Sequence, residues 1–284
     1  MMKYVCAKRS DRGRKYSNFD ELLVYKGDVV ASKFHYFILS DGVGSAELSA
    51  EAAQIAVNTV DQKLQEGMTS VVNEPGLETL VSVAVDCANQ KIIENNKLKR
   101  QEMPSLKPGA STIDVGILYS DALYIAHVGD GRIYVLDNEN SISLITRDEN
   151  SAFADFKNGF LKSTEEIKVH PGRKKIKNAL GIISHIKIKM YSHPLEDIRT
   201  ILAATDGLYC SFTDKELEEV LKGGKTPNKI IEELFIRAKH PVGIIPVYQE
   251  YCKREENRDV EEDIVREELT DDNLTAIVLN KVED

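Results

Sequence analysis

Carboxylates stand at the ends of apolar runs in this chain. Residues 34–39 (FHYFIL) lead into Ser40-Asp41-Gly42-Val43-Gly44, and residues 201–204 lead into Thr205-Asp206-Gly207. Residues 124–128 end in Gly129-Asp130-Gly131-Arg132, and Asp271-Asp272-Asn273 immediately precedes the last apolar run, 274–279. Buried strands deliver such acids to their exposed ends, and glycine lets the backbone turn tightly just beyond them. Several acids with no matching Cys or His read as one oxygen-rich site for hard cations such as Mg²⁺ or Mn²⁺. Crowded carboxylates repel one another, and cations hold them together. Two divalent ions lower the pKa of a shared water and brace both oxygens of an in-line displacement at phosphorus. Such a site needs a further cation for the phosphate oxygens. Arg14 and Lys15, in the polar loop that also holds Asn18 and Asp20, are the alternatives. There is no G-x-S-x-G, and none of Cys6, Cys87, Cys210 and Cys252 sits in an electropositive elbow, so nucleophilic Ser or Cys chemistry is not indicated.

The elements that must carry these residues alternate in period. Residues 3–8 read as an edge strand, 22–25 and 34–39 as strands, and from Ala46 the apolar spacing becomes helical, with Gly67 as its stop. A second helix is expected over 77–99, broken by Lys107-Pro108-Gly109. Strands at hairpin spacing follow at 112–119, 123–128 and 133–136, with turns at Ser120-Asp121 and Gly129-Asp130-Gly131, then a short strand at 142–145. Residues 150–175 have weak periodicity and read as an irregular excursion, and 177–181 as a turn of helix with a glycine stop. Strands at 186–190 and 199–204 precede a helix opened by Asp214 as N-cap and another over 227–239. Residues 254–272 are acid-rich and read as a solvated helix or mobile insertion. No repeat or Ser/Gly/Pro-rich linker divides the chain, so one α+β domain over residues 1–284 is expected.

The net charge of -9 argues against nucleic acid as the main partner. Four widely spaced cysteines read as free thiols in a reducing compartment. The basic, polar start lacks a signal-peptide core and no apolar run approaches membrane-spanning length, so a cytoplasmic protein with no membrane partner is expected. His170, His185, His193 and His240 have no metal-ligand spacing. The basic run 173–177 reads as a solvated loop, with attraction of a phosphopeptide as the alternative. The acidic run 255–263 lacks EF-hand spacing.

Eight short motifs, in order, resemble those of the metal-dependent protein serine/threonine phosphatases of type 2C (the PPM family), in particular their bacterial-type members. The family's Asn-Glu-Asp resembles Asn18-Phe19-Asp20, its Asp-Gly-x-Gly resembles Asp41-Gly42-Val43-Gly44, and its Gly-Ser-Thr-Ala resembles Ala110-Ser111-Thr112-Ile113. Its Val-Gly-Asp-Ser-Arg resembles Val128-Gly129-Asp130-Gly131-Arg132, and its Leu-Thr-x-Asp resembles Ile145-Thr146-Arg147-Asp148. Ala179-Leu180-Gly181, Thr205-Asp206-Gly207-Leu208 and Asp272-Asn273-Leu274-Thr275 complete the series. The resemblance implies a β-sandwich of two antiparallel sheets flanked by helix pairs, in four layers. It implies that Asp41 bridges two Mn²⁺ or Mg²⁺ ions, with the Gly42 carbonyl on one of them and Asp206 and Asp272 completing the other's shell. Asp130 would help hold a weaker third ion with Asp206, and Asp20 would support the second, with Asn18, Asn273 and Thr112 as supporting residues. The implied activity is attack of an activated water on phosphoserine or phosphothreonine in a protein, without a phosphoenzyme, in opposition to a serine/threonine kinase.

The sequence departs from this pattern at Phe19, where some members have a metal-contacting Glu, and at Val43, where some have a histidine suggested as general acid. The phosphate-binding arginine of the family falls at Lys15, with Arg14 one residue earlier. Ser45 and Gly131 read as mild changes. A non-enzymatic relative that binds a phosphoprotein and a phosphatase for small phosphomonoesters are the competing expectations; intact Asp41, Asp206 and Asp272 speak against the first.

Overall fold

A computed structural model describes residues 3–13, 20–26, 34–44, 47–71, 73–223, 226–256 and 258–282. It divides into two compact units, one made from Met1–Asn18, Arg132–Lys177 and Asp197–Asp284, the other from Phe19–Gly131 and Asn178–Glu196. Each unit carries one five-stranded, wholly antiparallel sheet with helices on it. The class is therefore α+β, as expected.

In the unit built around Phe19–Gly131 the strands are β2 (Asp20–Lys26), β3 (Phe34–Asp41), β4 (Ile113–Tyr119), β5 (Ala122–Val128) and β8 (Lys189–Pro194), in that spatial order. Two long helices cover this sheet, α1 (Glu47–Gly67) and α2 (Glu74–Glu102). The small residues Ala52, Ala56, Ala84 and Ala88 share one buried core with Leu64, Leu77, Val81, Val115 and Ile117, which lets the helices approach closely. α2 begins where its sequence says it should. Asn73 accepts the Gly76 amide at 2.9 Å, and Pro75 sits in the first turn.

In the other unit the order is β1 (Lys3–Asp11), β10 (Leu274–Val282), β9 (Ile198–Ala204), β6 (Arg132–Asp137) and β7 (Ile142–Leu144). The strand expected near the start is thus an edge strand. Its short helices are α3 (Ser151–Lys157), α4 (Thr164–Val169) and α5 (Asp206–Tyr209), and its longer ones α6 (Asp214–Gly223), α7 (Pro227–Ala238), α8 (Ile244–Glu255) and α9 (Glu262–Leu269). α6 and α7 pack Leu217, Val220, Leu221, Ile230, Leu234 and Phe235 into one core with Leu202, Ala276 and Val278 of the sheet.

Five expectations are corrected. β6 pairs with β7 and β9, not with β5, so Gly129-Asp130-Gly131 carries the chain from one sheet to the other and is no hairpin turn. Residues 150–175 hold two short helices, α3 and α4, capped by Asn150 and Ser163, and a 3₁₀ turn at 171–174, and the two helices share a second core with α8 and α9. Their periodicity is weak because each helix is only about two turns long. Residues 177–181 are not helical; Leu180 bridges to Ser111 and Gly181 turns at φ +89°. The cap of α6 is Thr213 rather than Asp214: its hydroxyl accepts the Glu216 amide at 3.2 Å while Glu216 accepts the Thr213 amide at 2.8 Å. The acid-rich segment is half-packed, since α9 buries Val265 and Leu269 in that same core.

Candidate active site

Asp41 is the last residue of β3, and its backbone is held from both sides. On one side it pairs in register with Asp20 of β2. On the other its carbonyl accepts the Thr112 amide at 2.8 Å and the Ser111 hydroxyl at 2.9 Å, and its own amide donates to the Thr112 hydroxyl at 3.0 Å. Thr112 thus caps the acid through the backbone amide. Buried Ser40 and Ser111 join their hydroxyls at 2.6 Å beneath. Gly42 bridges to Ser111 and is buried. Asp20 is also buried, so two acids stand directly opposite each other at the end of one sheet. Like charges in that arrangement destabilise a sheet unless a cation joins them.

Asp130 belongs to the same unit and is 4% exposed in the turn that follows β5. Beside that turn lies a pair not named among the expected site residues: Asp114 and His127, both buried and directly paired across β4 and β5, with His127 Nδ1 2.7 Å from Asp114 Oδ1. A charge inside an otherwise apolar strand was the available signal.

In the other unit, β9 delivers Asp206 to the start of α5, and the Asp272-Asn273 pair lies against it. A Cβ at Gly207 would fall 2.1 Å from the Asn273 carbonyl and 2.9 Å from Asp272 Cβ, so only glycine permits this contact. Asn273 donates its side-chain amide to the Arg12 carbonyl at 2.8 Å, tying the pair to the end of β1. In the basic run 173–177 the three lysines are exposed, as a solvated loop requires, but Arg173 departs from that reading. Its guanidinium is 11% exposed and donates to Asp206 Oδ2 at 3.3 Å. Burial works against its charge, but the Cys210 side chain, Asp206 and Asp272 outweigh burial and raise its pKa above the ordinary arginine range. Sequence reasoning missed the contact because no local pattern links a 3₁₀ turn at 171–174 to the end of β9. The Arg173 side chain also lines a hollow of about 310 Å³ with His170, Lys174, Tyr248, Glu268 and Asp271.

Arg132 and Asp148, two further motif positions, form a buried bidentate pair at 2.9 and 2.8 Å, with the guanidinium 4.3 Å from the Tyr209 ring centre. Cys210 is buried and its thiol is pushed up to about 12, chiefly by burial, which leaves it inert as a nucleophile. All four cysteines are free. Arg14, Lys15, Asn18 and Phe19 lie outside the described residues.

The donor set at the motif positions is carboxylate and backbone oxygen, with no imidazole or thiolate among it, which fits hard divalent cations. Among the described residues no three His, Cys, Asp or Glu side chains are gathered as a ready-made metal cage.

The model of one family, protein phosphatase 2C, matches residues 20–240. The chain belongs to the protein phosphatase 2C family. Among curated proteins it is 26% identical over 231 residues to serine/threonine phosphatase stp of Listeria innocua, covering 81% of this chain and 88% of that protein. The same protein of Listeria monocytogenes serovar 1/2a is 26% identical over 233 residues, with the same coverage. Among solved structures, a bacterial serine phosphatase superposes with a TM-score of 0.78 at 18% identity, over 98% of each chain. Serine/threonine phosphatase Stp1 from Staphylococcus aureus gives 0.77 at 18% identity, over 100% of this chain and 96% of that one. The catalytic domain of the phosphatase PstP, solved with two manganese ions, gives 0.69 at 20% identity over the whole of both chains. These likenesses establish a bacterial-type 2C phosphatase fold.

Proposed function

We propose that this chain is a metal-dependent protein serine/threonine phosphatase acting as one catalytic domain. Asp20, Asp41, Gly42, Asp130, Asp206 and Asp272 are its metal-binding groups, for two Mn²⁺ or Mg²⁺ ions and a weaker third. The Asp20–Asp41 pairing carries this reading, because two acids fixed opposite each other on a clamped strand end ask for a cation. The family and the stp relatives support the reaction class. The bound metals supply Lewis acidity and lower the pKa of the attacking water. The chain's own residues do the positioning. Ser111 and Thr112 fix the backbone of Asp41, Gly207 and Asn273 fix Asp206 beside Asp272, and Arg14 or Lys15 serves the phosphate oxygens. The family resemblance implies direct attack without a phosphoenzyme, and the buried Cys210 thiol offers no competing nucleophile. The substrates are proteins phosphorylated by a serine/threonine kinase, and the place of action is the cytoplasm, in keeping with four free cysteines. Among the described residues no helix is long and apolar enough to cross a membrane.

Turnover of phosphoserine and phosphothreonine peptides, of p-nitrophenyl phosphate and of a nucleoside monophosphate, each with Mn²⁺, tests the substrate class. The phosphopeptides should lead in kcat/KM by at least about tenfold. A preference for the nucleotide would show a small-molecule phosphatase, and no turnover together with tight phosphopeptide binding would show a binding protein.

A further inference from the structure

β4 begins as a floor for the turn that carries Asp130. Two side chains two residues apart, and so on one face of the chain, lie beneath that turn. A Cβ at Gly129, whose φ is +112°, would fall 2.5 Å from the Thr112 methyl, and one at Gly131 would fall 1.8 Å from Asp114 Oδ2. Thr112 is also the residue that holds the Asp41 amide. The floor therefore joins the positions of Asp41 and Asp130. A carboxylate 1% exposed needs strong partners to remain there. His127, itself wholly buried, supplies one by facing Asp114 in register, and an imidazole that donates from Nδ1 fixes which way the carboxylate turns. Its second oxygen then takes up the space that a side chain at position 131 would need.

We infer that Asp114 and His127 are a positioning pair that sets the height of Asp130, and that Gly131 is glycine because Asp114 fills the place of the serine side chain the family motif carries there. The change at 131 is then not mild but one half of a two-residue exchange. The inference rests on the reading of Asp130 as a metal-binding group.

A double-mutant cycle tests it on the full chain, with Gly131→Ser, Asp114→Ala and the two combined, and with Asp114→Asn as the volume-conserving variant. Melting temperature in EDTA, Mn²⁺ affinity by titration calorimetry, and the Mn²⁺ concentration at half-maximal turnover are read for each. Gly131→Ser should melt earlier and weaken the weakest Mn²⁺ site about tenfold or more, and Asp114→Ala in the same chain should restore most of both. Asp114→Asn should raise the half-maximal Mn²⁺ concentration by a larger factor than it lowers kcat. Strictly additive effects, or a Gly131→Ser variant that melts and binds Mn²⁺ like wild type, would overturn the inference. A wild type without Mn²⁺-dependent turnover would instead defeat the phosphatase reading, and the melting cycle would still judge the exchange.

Discussion

Arg132 shows what a motif residue does when it is not at the chemistry. Its charge is buried, and burial works against it, but Asp148 more than compensates and the guanidinium remains charged. Tyr134 adds a hydrogen bond at 3.1 Å. Removing one partner strands the other in the interior, so Arg132→Met should destabilise the protein by about 3–5 kcal/mol. Urea unfolding measures this, and a loss under 1 kcal/mol would contradict it. The pair was visible in sequence only as two fragments of different motifs, sixteen residues apart. Their mutual contact is tertiary and has no local signature. The Asp114–His127 pair was more legible than that. A two-residue turn at Ser120-Asp121 between two expected strands sets a register in which 114 faces 127, and the structure has that register. Arg14 and Lys15 stay alternatives. Separate substitution to Ala should raise KM for a phosphopeptide by about tenfold at whichever residue meets the phosphate, and leave it little changed at the other.

Helices and strands with long, regular periods could be read directly, including α1, α2, α7 and β3. The short helices could not, because two turns give too few apolar positions to establish a period. Their caps carry the missing information. Thr213→Ala removes the reciprocal bonds with Glu216 and should cost about 1 kcal/mol, read as a lower urea midpoint with activity retained. α4 and α8 are joined by a different device: Arg254 reaches both oxygens of Glu166 at 2.8 Å. Burial pushes the Glu166 carboxyl up, but Arg254 and the Lys162 amide outweigh burial and hold it below its ordinary 4.5. The unfolded chain therefore takes up a proton before the folded one does. Glu166 contributes stability in full above pH 4.5, and that contribution is lost as pH falls through the lowered folded value. The gap in urea midpoint between wild type and Glu166→Gln should be widest near neutral pH and shrink below pH 4.5. A gap that stays constant to pH 3 would contradict this.

Across the whole chain, the order of the motifs identified the family, and the antiparallel sheets followed from it. What remained hidden was which sheet each strand joins. The spacing of β5 and β6 resembles a hairpin, but Gly129-Asp130-Gly131 separates two sheets instead, and local spacing cannot tell a tight turn from a crossing. The candidate site was legible to a similar degree. Glycines beside acids marked Asp41, Asp130 and Asp206, whereas Arg173 stood out only as part of a basic run, and its contact with Asp206, made by an excursion without clear periodicity, had no signal. The central claim is that these acids hold the metals that hydrolyse a phosphorylated side chain. Its most direct test is hydrolysis of a phosphothreonine peptide by wild type and Asp206→Asn, in Mn²⁺, in Mg²⁺ and in EDTA. Turnover should require Mn²⁺ or Mg²⁺, vanish in EDTA, and fall by at least about a hundredfold in the variant. Turnover that persists in EDTA, or that survives Asp206→Asn unchanged, would contradict the account.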